Sequence, residues 1–277
     1  MQKEYTQPII IKQSNQILAK VFFFVEYNIG TNQNNTIDQF ILNLTPSKYG
    51  YAGFTEKKYL KEFLINQIFD KKDDFRMIKE RKIDQQQVLQ IIEKTIQKCK
   101  NSIPSEIIEI YVFPSYSSFI KNKMNGSAGY SSWENCILIF IDSTCENWKE
   151  FLPSTITHEY LHAITHHYHK WETLLDSLIF EGLAEHFVEH IEKKISPWAN
   201  LFNFKQSQKY FEKLKDDLDS KDEQIYRSVF FGNKKYPQWT GYSIGYNIIK
   251  SFFNNYKNIR WEQLVKLKPN DILSKSN

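Results

Sequence analysis

Apolar residues recur along the chain with two different periods, which separate helical segments from extended ones. Over residues 55–99 they return every three to four positions, which places them on one face of a helix. Three shorter segments, at 17–27, 107–115 and 136–142, are continuously apolar or nearly so, as is typical of buried strands. We therefore predict two helices in the first hundred residues, with one strand before them and two strands after them.

Turn and helix signals organise the second half of the chain. The polar segment KNKMNGSAGYSSWEN, which contains an Asn-Gly pair and Gly129, predicts a turn region between the last two strands. A helix is predicted to begin at Pro153, a second at about 173–194 and a last one at 241–254. The whole pattern predicts an α+β protein that is mainly helical.

The character of the chain changes at Pro104, which favours a division into two regions. Residues 1–103 hold the first strand and two helices, and no motif in them points to a function. Residues 104–277 hold the later strands and the helices in which the chemistry-bearing residues lie. We predict a boundary at this point, although the two regions can also form one compact unit.

Charge and composition exclude some classes of protein. Lys and Arg exceed Asp and Glu by only 36 to 32, and the interspersed charge argues against nucleic-acid binding. The apolar run ILAKVFFFVEY is too short to span a bilayer, and the first residues lack the layout of a signal peptide. Cys99, Cys136 and Cys145 show no CxxC spacing and are typical of reduced thiols. We expect a cytoplasmic protein without a membrane partner, of undetermined oligomeric state.

The histidines are concentrated in one short part of the chain. Five of the seven lie in THEYLHAITHHYHK, residues 157–170, which contains an HExxH motif. On a helix, His158 and His162 lie about one turn apart on the same face, where two imidazoles can bind one Zn²⁺. Glu159 lies to the side of that pair, where it can accept a proton from a zinc-bound water without binding the metal.

The neighbouring histidines do not complete such a site if the helix continues. Along the helix axis, His166 lies about 12 Å from His158. His167 points to the opposite face, and His169 lies roughly 10 Å beyond His162. We therefore predict that these three histidines belong to the end of the helix, where a protonated imidazole meets the negative end of the helix dipole.

The third ligand is better sought in the next helix, DSLIFEGLAEHFVEH. Glu181 follows the motif after eighteen residues, which allows one helix to finish and a second to return. Gly182 is unfavourable in a helix interior and suggests the close approach of two helices. Glu185 lies one turn after Glu181 and is predicted to hydrogen-bond the outer nitrogen of a ligand histidine. His186 and His190 point away from Glu181 and are left out of the site.

Together these motifs resemble a known group of enzymes. HEYLH, eighteen residues and EGLAE are similar to the gluzincin metallopeptidases, whose pattern is HExxH, a spacer and a glutamate ligand on the next helix. With MNGSAGYSSWENCILIFID, LLDSLIFEGLAEHF and GYSIGYNI added, residues 105–255 resemble a bacterial family of predicted zinc-dependent proteases. The resemblance implies one Zn²⁺ per chain, bound by His158, His162 and Glu181, with Glu159 as the catalytic base.

The same resemblance implies a fold and a further catalytic residue. The fold is zincin-like, with a small sheet above the HExxH helix and a helical C-terminal half. The edge strand beside the substrate is expected at 136–142. Gluzincins also use a Tyr or His from a later helix to stabilise the oxyanion. Tyr242 is predicted to take this role here, with Tyr246 as the alternative.

Three functions are compatible with these residues. The leading hypothesis is a zinc metallopeptidase that hydrolyses peptide bonds in a peptide or protein substrate through a zinc-bound water activated by Glu159. One alternative is a non-catalytic zinc-binding regulatory or binding module, and another is a zinc hydrolase that acts on a non-peptide substrate. The glutamate of the motif favours catalysis, because a structural zinc site needs no base and usually has Cys or His as its fourth ligand.

Overall fold

A computed structural model describes residues 7–23, 38, 41, 44–70 and 83–276. Over these residues the protein is α+β and mainly helical, which confirms the predicted fold class. They form one five-stranded sheet and ten α-helices. By its internal contacts the chain divides into two units, Met1–Ala163 and Ile164–Asn277, so the boundary predicted near residue 104 falls inside the first unit.

The sheet belongs to the first unit. Its strands are β1 (Ile9–Gln13), β2 (Gln16–Phe23), β3 (Ile108–Pro114), β4 (Ser127–Trp133) and β5 (Cys136–Ile141). Their spatial order is β1-β2-β3-β5-β4, with β2, β3 and β5 parallel and the two outer strands antiparallel to their neighbours. Every residue of β3 and β5 is buried, because inner parallel strands are covered on both faces. Their continuous apolar runs follow from that burial.

The expectation that residues 136–142 form the edge strand is wrong. They form β5, which lies between β3 and β4. The edge strand on this side of the sheet is β4, where the sequence predicted a turn. The pattern misled because β4 has the sequence SAGYSSW and lacks a run of large apolar residues. Gly129 lies in the strand because a side chain there would collide with a neighbour: a Cβ would stand 2.2 Å from Cγ of Glu159.

The N-terminal part of the chain helps to build and cover this sheet. It supplies β1 and β2, and α1 (Lys57–Ile68) packs its buried residues into the same core as the side chains of β3 and β5. Phe63 lies 4.5 Å from Tyr130 and Phe54 lies 4.6 Å from Trp133, measured between ring centroids. The edge strand is therefore supported on this face by aromatic residues from the first hundred positions.

Three further helices lie in the described part of the chain before residue 170. They are α2 (Gln85–Ser102), α3 (Ser118–Lys123) and α4 (Trp148–Tyr168). Helix α4 carries the HExxH motif and begins earlier than predicted, so that Pro153 lies inside it. Pro153 is the sixth residue of the helix, so its missing N–H removes one hydrogen bond of the second turn. Tyr160 of the motif is fully buried and donates its hydroxyl to the carbonyl oxygen of Ile103 at 2.5 Å.

The rest of the described chain is helical. Its helices are α5 (Leu174–Glu192), α6 (Phe204–Glu212), α7 (Glu223–Phe231), α8 (Thr240–Asn255), α9 (Trp261–Leu264) and α10 (Pro269–Ser276), with a 3₁₀ turn at Lys215–Asp217. Helix α5 begins with a capping box in which Thr173 and Asp176 each accept a backbone N–H from the other. None of the described helices has both the length and the apolar character that crossing a membrane requires.

Helices α5 and α8 cross at two glycines. A Cβ on Gly182 would lie 2.3 Å from the carbonyl carbon of Gly245, and a Cβ on Gly245 would lie 2.0 Å from the carbonyl oxygen of Leu178. The prediction that Gly182 permits the close approach of two helices is confirmed, and the partner helix is α8. This crossing fixes the path of α5, the helix that carries Glu181 and Glu185.

Replacing Gly245 by Ala should destabilise the protein. In an ordinary helix the change stabilises by up to about 1 kcal/mol, but here the added methyl group should cost about 1–3 kcal/mol through overpacking. Urea unfolding followed by circular dichroism measures the difference, with Ser251→Ala on the same helix as the control. A Gly245→Ala protein as stable as the wild type would contradict the close crossing.

Candidate metal centre

The HExxH helix brings its two histidines together. Nε2 of His158 and Nε2 of His162 lie 2.8 Å apart, and the rings meet edge to face. His162 is buried and His158 is partly exposed. When each imidazole carries its proton on Nδ1, both Nε2 atoms have a lone pair, and their short separation suits a shared cation.

A carboxylate joins the two imidazoles. The ligand atoms of His158, His162 and Glu181 lie within 4.8 Å of one another. Among the described residues they are the one group of three or more His, Cys, Asp or Glu side chains that could hold a metal ion. Two imidazoles and a carboxylate are a known ligand set of catalytic zinc, which leaves its fourth position to water or substrate.

The spacing of these atoms fits zinc after a small adjustment. Ligand atoms at about 2.0–2.2 Å from a tetrahedral ion stand roughly 3.3–3.6 Å from one another. The two Nε2 atoms, at 2.8 Å, are slightly closer than this and would have to separate to admit the ion. Rotation of the partly exposed His158 ring is the smaller movement, because His162 is held by its burial.

Glu159 is placed differently from the three ligand candidates. Its side chain is 7% exposed and packs against the backbone of β4, with Oε1 2.8 Å from the position that a Cβ of Gly129 would occupy. It is not a member of the ligand group. The absence of a side chain at Gly129 therefore makes the space in which the carboxylate of Glu159 lies, beside the edge strand.

Glu185 has a partner that the sequence did not indicate. Its side chain is 1% exposed, and Oε1 accepts a hydrogen bond of 2.6 Å from Nε1 of Trp198. Trp198 lies in the segment that follows α5, where no periodic pattern predicts which helix it contacts. The predicted hydrogen bond from a ligand histidine to Glu185 stays a prediction.

The two tyrosines proposed for the oxyanion differ in their surroundings. The hydroxyl of Tyr246 donates to Oε2 of Glu189 at 2.8 Å, and its ring stacks on His186 with centroids 4.1 Å apart. Burial raises the pKa of Tyr246 above its usual range. Tyr242 is partly exposed, and its ring meets that of Trp239 edge to face at 5.6 Å. The choice of Tyr242 for the oxyanion stays a prediction.

The remaining histidines make other contacts. His169 lies just after the end of α4, and its Nε2 is 2.9 Å from the carbonyl oxygen of Val265. His186 donates Nε2–H to the carbonyl oxygen of Tyr246 at 2.9 Å, and burial lowers its pKa. The ligand group leaves out five histidines, namely His166, His167, His169, His186 and His190.

The fold and the ligand group together define a class of protein: an α+β protein with an HExxH helix and a candidate His, His, Glu metal site. The profile of a family described as predicted Zn-dependent protease (DUF2268) matches residues 88–274, which is more than half of the chain. The chain belongs to this family. Zinc is therefore the metal that the family description implies for the site.

Two proteins of Bacillus subtilis (strain 168) are similar to this chain. The uncharacterized protein YjaZ is 27% identical over 175 residues, which cover 60% of this chain and 66% of YjaZ. The uncharacterized protein YjfC is 26% identical over 165 residues, which cover 54% of each chain. The chain thus spans less than two thirds of the length of these relatives.

The zinc content of variants tests the ligand group. We expect about one zinc per chain in the wild type, and a loss of most of it in His158→Ala and Glu181→Ala, because two ligands hold the ion less tightly than three. His167→Ala, at the exposed end of the same helix, is the matched control. Elemental analysis after dialysis against a weak chelator gives the result, and full zinc in either ligand variant would remove that residue from the set.

Proposed function

We propose that the protein is a zinc-dependent metallopeptidase of the gluzincin type. His158, His162 and Glu181 hold one Zn²⁺, and Glu159 is the catalytic base. The observation that carries the proposal is the grouping of two imidazoles and a carboxylate, with a buried glutamate on the same helical turn as the first histidine. Membership of a family described as predicted Zn-dependent protease supports it.

The chain's own residues supply the acid and base chemistry. When bound, zinc polarises the substrate carbonyl and makes a water molecule more acidic. The carboxylate of Glu159 accepts a proton from the attacking water and then delivers it to the amine that leaves. Its burial against Gly129 suits this role, because it restricts the carboxylate to few positions and keeps other water away.

The edge strand is the proposed place for an extended peptide. In the described sheet β4 pairs on one side with β5, and its other side faces away from the sheet. A peptide can add to such an edge through main-chain hydrogen bonds, which do not depend on its sequence. Glu159 packs against Gly129 of the same strand, so a peptide aligned along β4 would pass close to the base.

Two further residues have proposed roles in the reaction. Glu185 orients a ligand histidine through its outer ring nitrogen, and the hydrogen bond from Trp198 restricts the carboxylate for this purpose. Tyr242 donates its hydroxyl to the developing oxyanion. Its partial exposure supports this choice over Tyr246, which is buried.

Replacing Glu159 by Gln should remove the base and leave the zinc. We expect the cleavage of reduced casein to fall by about 10²–10⁴-fold, the usual contribution of a positioned general base. Glu150→Gln, at an exposed position on the same helix, is the control and should cleave at the wild-type rate. Equal cleavage by the Glu159→Gln protein would contradict the mechanism. A zinc-loaded wild type that cleaves nothing would favour the non-catalytic alternative.

Replacing Gly129 by Ala should displace the base without touching a ligand. The new Cβ would stand 2.2 Å from Cγ of Glu159, so the carboxylate has to move. We expect casein cleavage to fall at least about tenfold at unchanged zinc content, because misplacement of a catalytic group by about 1 Å can cost 10²-fold. Ala128→Ser also adds one heavy atom, at the adjacent position of β4. Similar rates for both variants would show that Gly129 does not place Glu159.

A further inference from the structure

In the second unit, four aromatic side chains are in contact with one another, and the first of them is hydrogen-bonded to Glu185. Trp198 binds the carboxylate of Glu185 through its indole N–H at 2.6 Å. The ring centroid of Trp198 lies 6.0 Å from that of Trp239. The Trp239 ring in turn lies 5.6 Å from that of Tyr242 and 6.4 Å from that of Phe231. We call Trp198, Phe231, Trp239 and Tyr242 the aromatic surface.

The aromatic surface is accessible to solvent. Phe231 is 43% exposed, and Trp198, Trp239 and Tyr242 are all partly exposed. None of the four carries a formal charge. Because the burial of apolar surface away from water lowers the free energy, such a cluster favours the binding of another apolar group.

The backbone at Trp239 is held in a strained conformation that keeps its ring in this cluster. Its φ is +71°, in the left-handed region that residues with a Cβ rarely adopt and that costs about 1–2 kcal/mol. The N–H of Trp239 donates to the carbonyl oxygen of Phe230 at 3.0 Å, which fixes the turn before α8. The fold therefore maintains a partly exposed tryptophan at a conformational cost, as happens at ligand-binding positions.

The aromatic surface is connected to the proposed metal site through one helix. Glu185 lies one turn after Glu181, whose carboxylate is in the ligand group, and the N–H of Trp198 holds Glu185. We propose that the aromatic surface binds a bulky apolar side chain of the peptide substrate, close to the bond that is cleaved. This inference rests on the proposed function and names the substrate class: peptides with an aromatic or large aliphatic residue near the scissile bond.

The geometry of the cluster suits such a side chain. The rings of Trp239 and Tyr242 meet at 70°, and those of Trp198 and Trp239 at 45°, so they form walls of different orientation. A phenyl or isobutyl group that lies against the exposed sides of these rings can meet one ring face and one ring edge, the arrangement that aromatic pairs prefer. A carboxylate side chain would lose its hydration there without gaining an opposite charge from these four residues.

The test uses probes that bind the metal and report on the surface without being cleaved. N-acetyl dipeptide hydroxamates anchor on zinc, and phenylalanine is placed at either position, with the glycylglycine hydroxamate as reference. Trp239→Gly removes the ring and suits the positive φ, so the backbone should be retained. Trp261→Phe, in the same unit but outside the aromatic surface, is the matched control. Zinc content and unfolding midpoint are measured for every variant.

We expect at least one phenylalanine hydroxamate to bind the zinc-loaded wild type at least about tenfold more tightly than the glycine reference, which equals about 1.4 kcal/mol. The ratio should fall below about threefold in Trp239→Gly and stay unchanged in Trp261→Phe. An unchanged ratio in Trp239→Gly, or no preference in the wild type, would overturn the inference. So would the failure of every hydroxamate to bind.

Cleavage of reduced casein separates this inference from the proposed function. If casein is cleaved but the affinity ratio does not depend on Trp239, the role proposed for the aromatic surface is contradicted and the proposed peptidase activity is retained. If the affinity ratio depends on Trp239 but casein is not cleaved, the binding role of the aromatic surface is supported and the proposed hydrolysis is contradicted. When both hold, the cleavage sites identified by mass spectrometry should be enriched in large apolar residues, and Trp239→Gly should reduce that enrichment.

Discussion

The burial of three glutamates is the constraint on which the rest of the structure depends. Glu159, Glu181 and Glu185 are 7%, 5% and 1% exposed. A carboxylate taken out of water costs several kcal/mol unless it is hydrogen-bonded, paired with an opposite charge or bound to a metal. The N–H of Trp198 offsets part of this cost at Glu185. A divalent cation held by Glu181 and the two histidines would offset a larger part, because its charge lies next to the buried carboxylates.

Three glycines make the space that this arrangement needs. Gly129 admits the side chain of Glu159 against the edge strand, and Gly182 and Gly245 let α5 and α8 approach closely. Each glycine is locally unfavourable, since glycine weakens strands and costs about 1 kcal/mol relative to alanine inside a helix. The local structure is therefore less stable at these positions. In return, the close crossing with α8 fixes the position of α5, the helix on which Glu181 and Glu185 lie.

The sequence predicted those parts of the molecule that depend on local pattern. The continuous apolar run 136–142 predicted a buried strand, and the spacing of His158 and His162 predicted two imidazoles on one helical face. The edge strand was missed because Gly129 and its serine neighbours resemble a turn, whereas the cause of the glycine is a contact with Glu159, thirty positions later.

Contacts between distant segments were beyond such patterns. Gly182 suggested a close helix, but nothing in the periodicity indicated that Gly245 was its partner. Trp198 follows Pro197 in an irregular segment, so its hydrogen bond to Glu185 depends on the path of the chain after α5. The role of Tyr242 likewise depends on the position of a bound substrate, which no sequence pattern contains.

X-ray absorption at the zinc edge tests the central claim most directly, because it reports the atoms around the metal without requiring a substrate. For the zinc-loaded protein we expect two imidazole nitrogens at about 2.0–2.1 Å and oxygen ligands at about 2.0–2.2 Å, without sulfur. The His158→Ala protein, reconstituted with zinc, should lose one imidazole contribution and keep the other, with oxygen in its place. A thiolate at about 2.3 Å, or a shell of four imidazoles, would contradict the assignment of His158, His162 and Glu181.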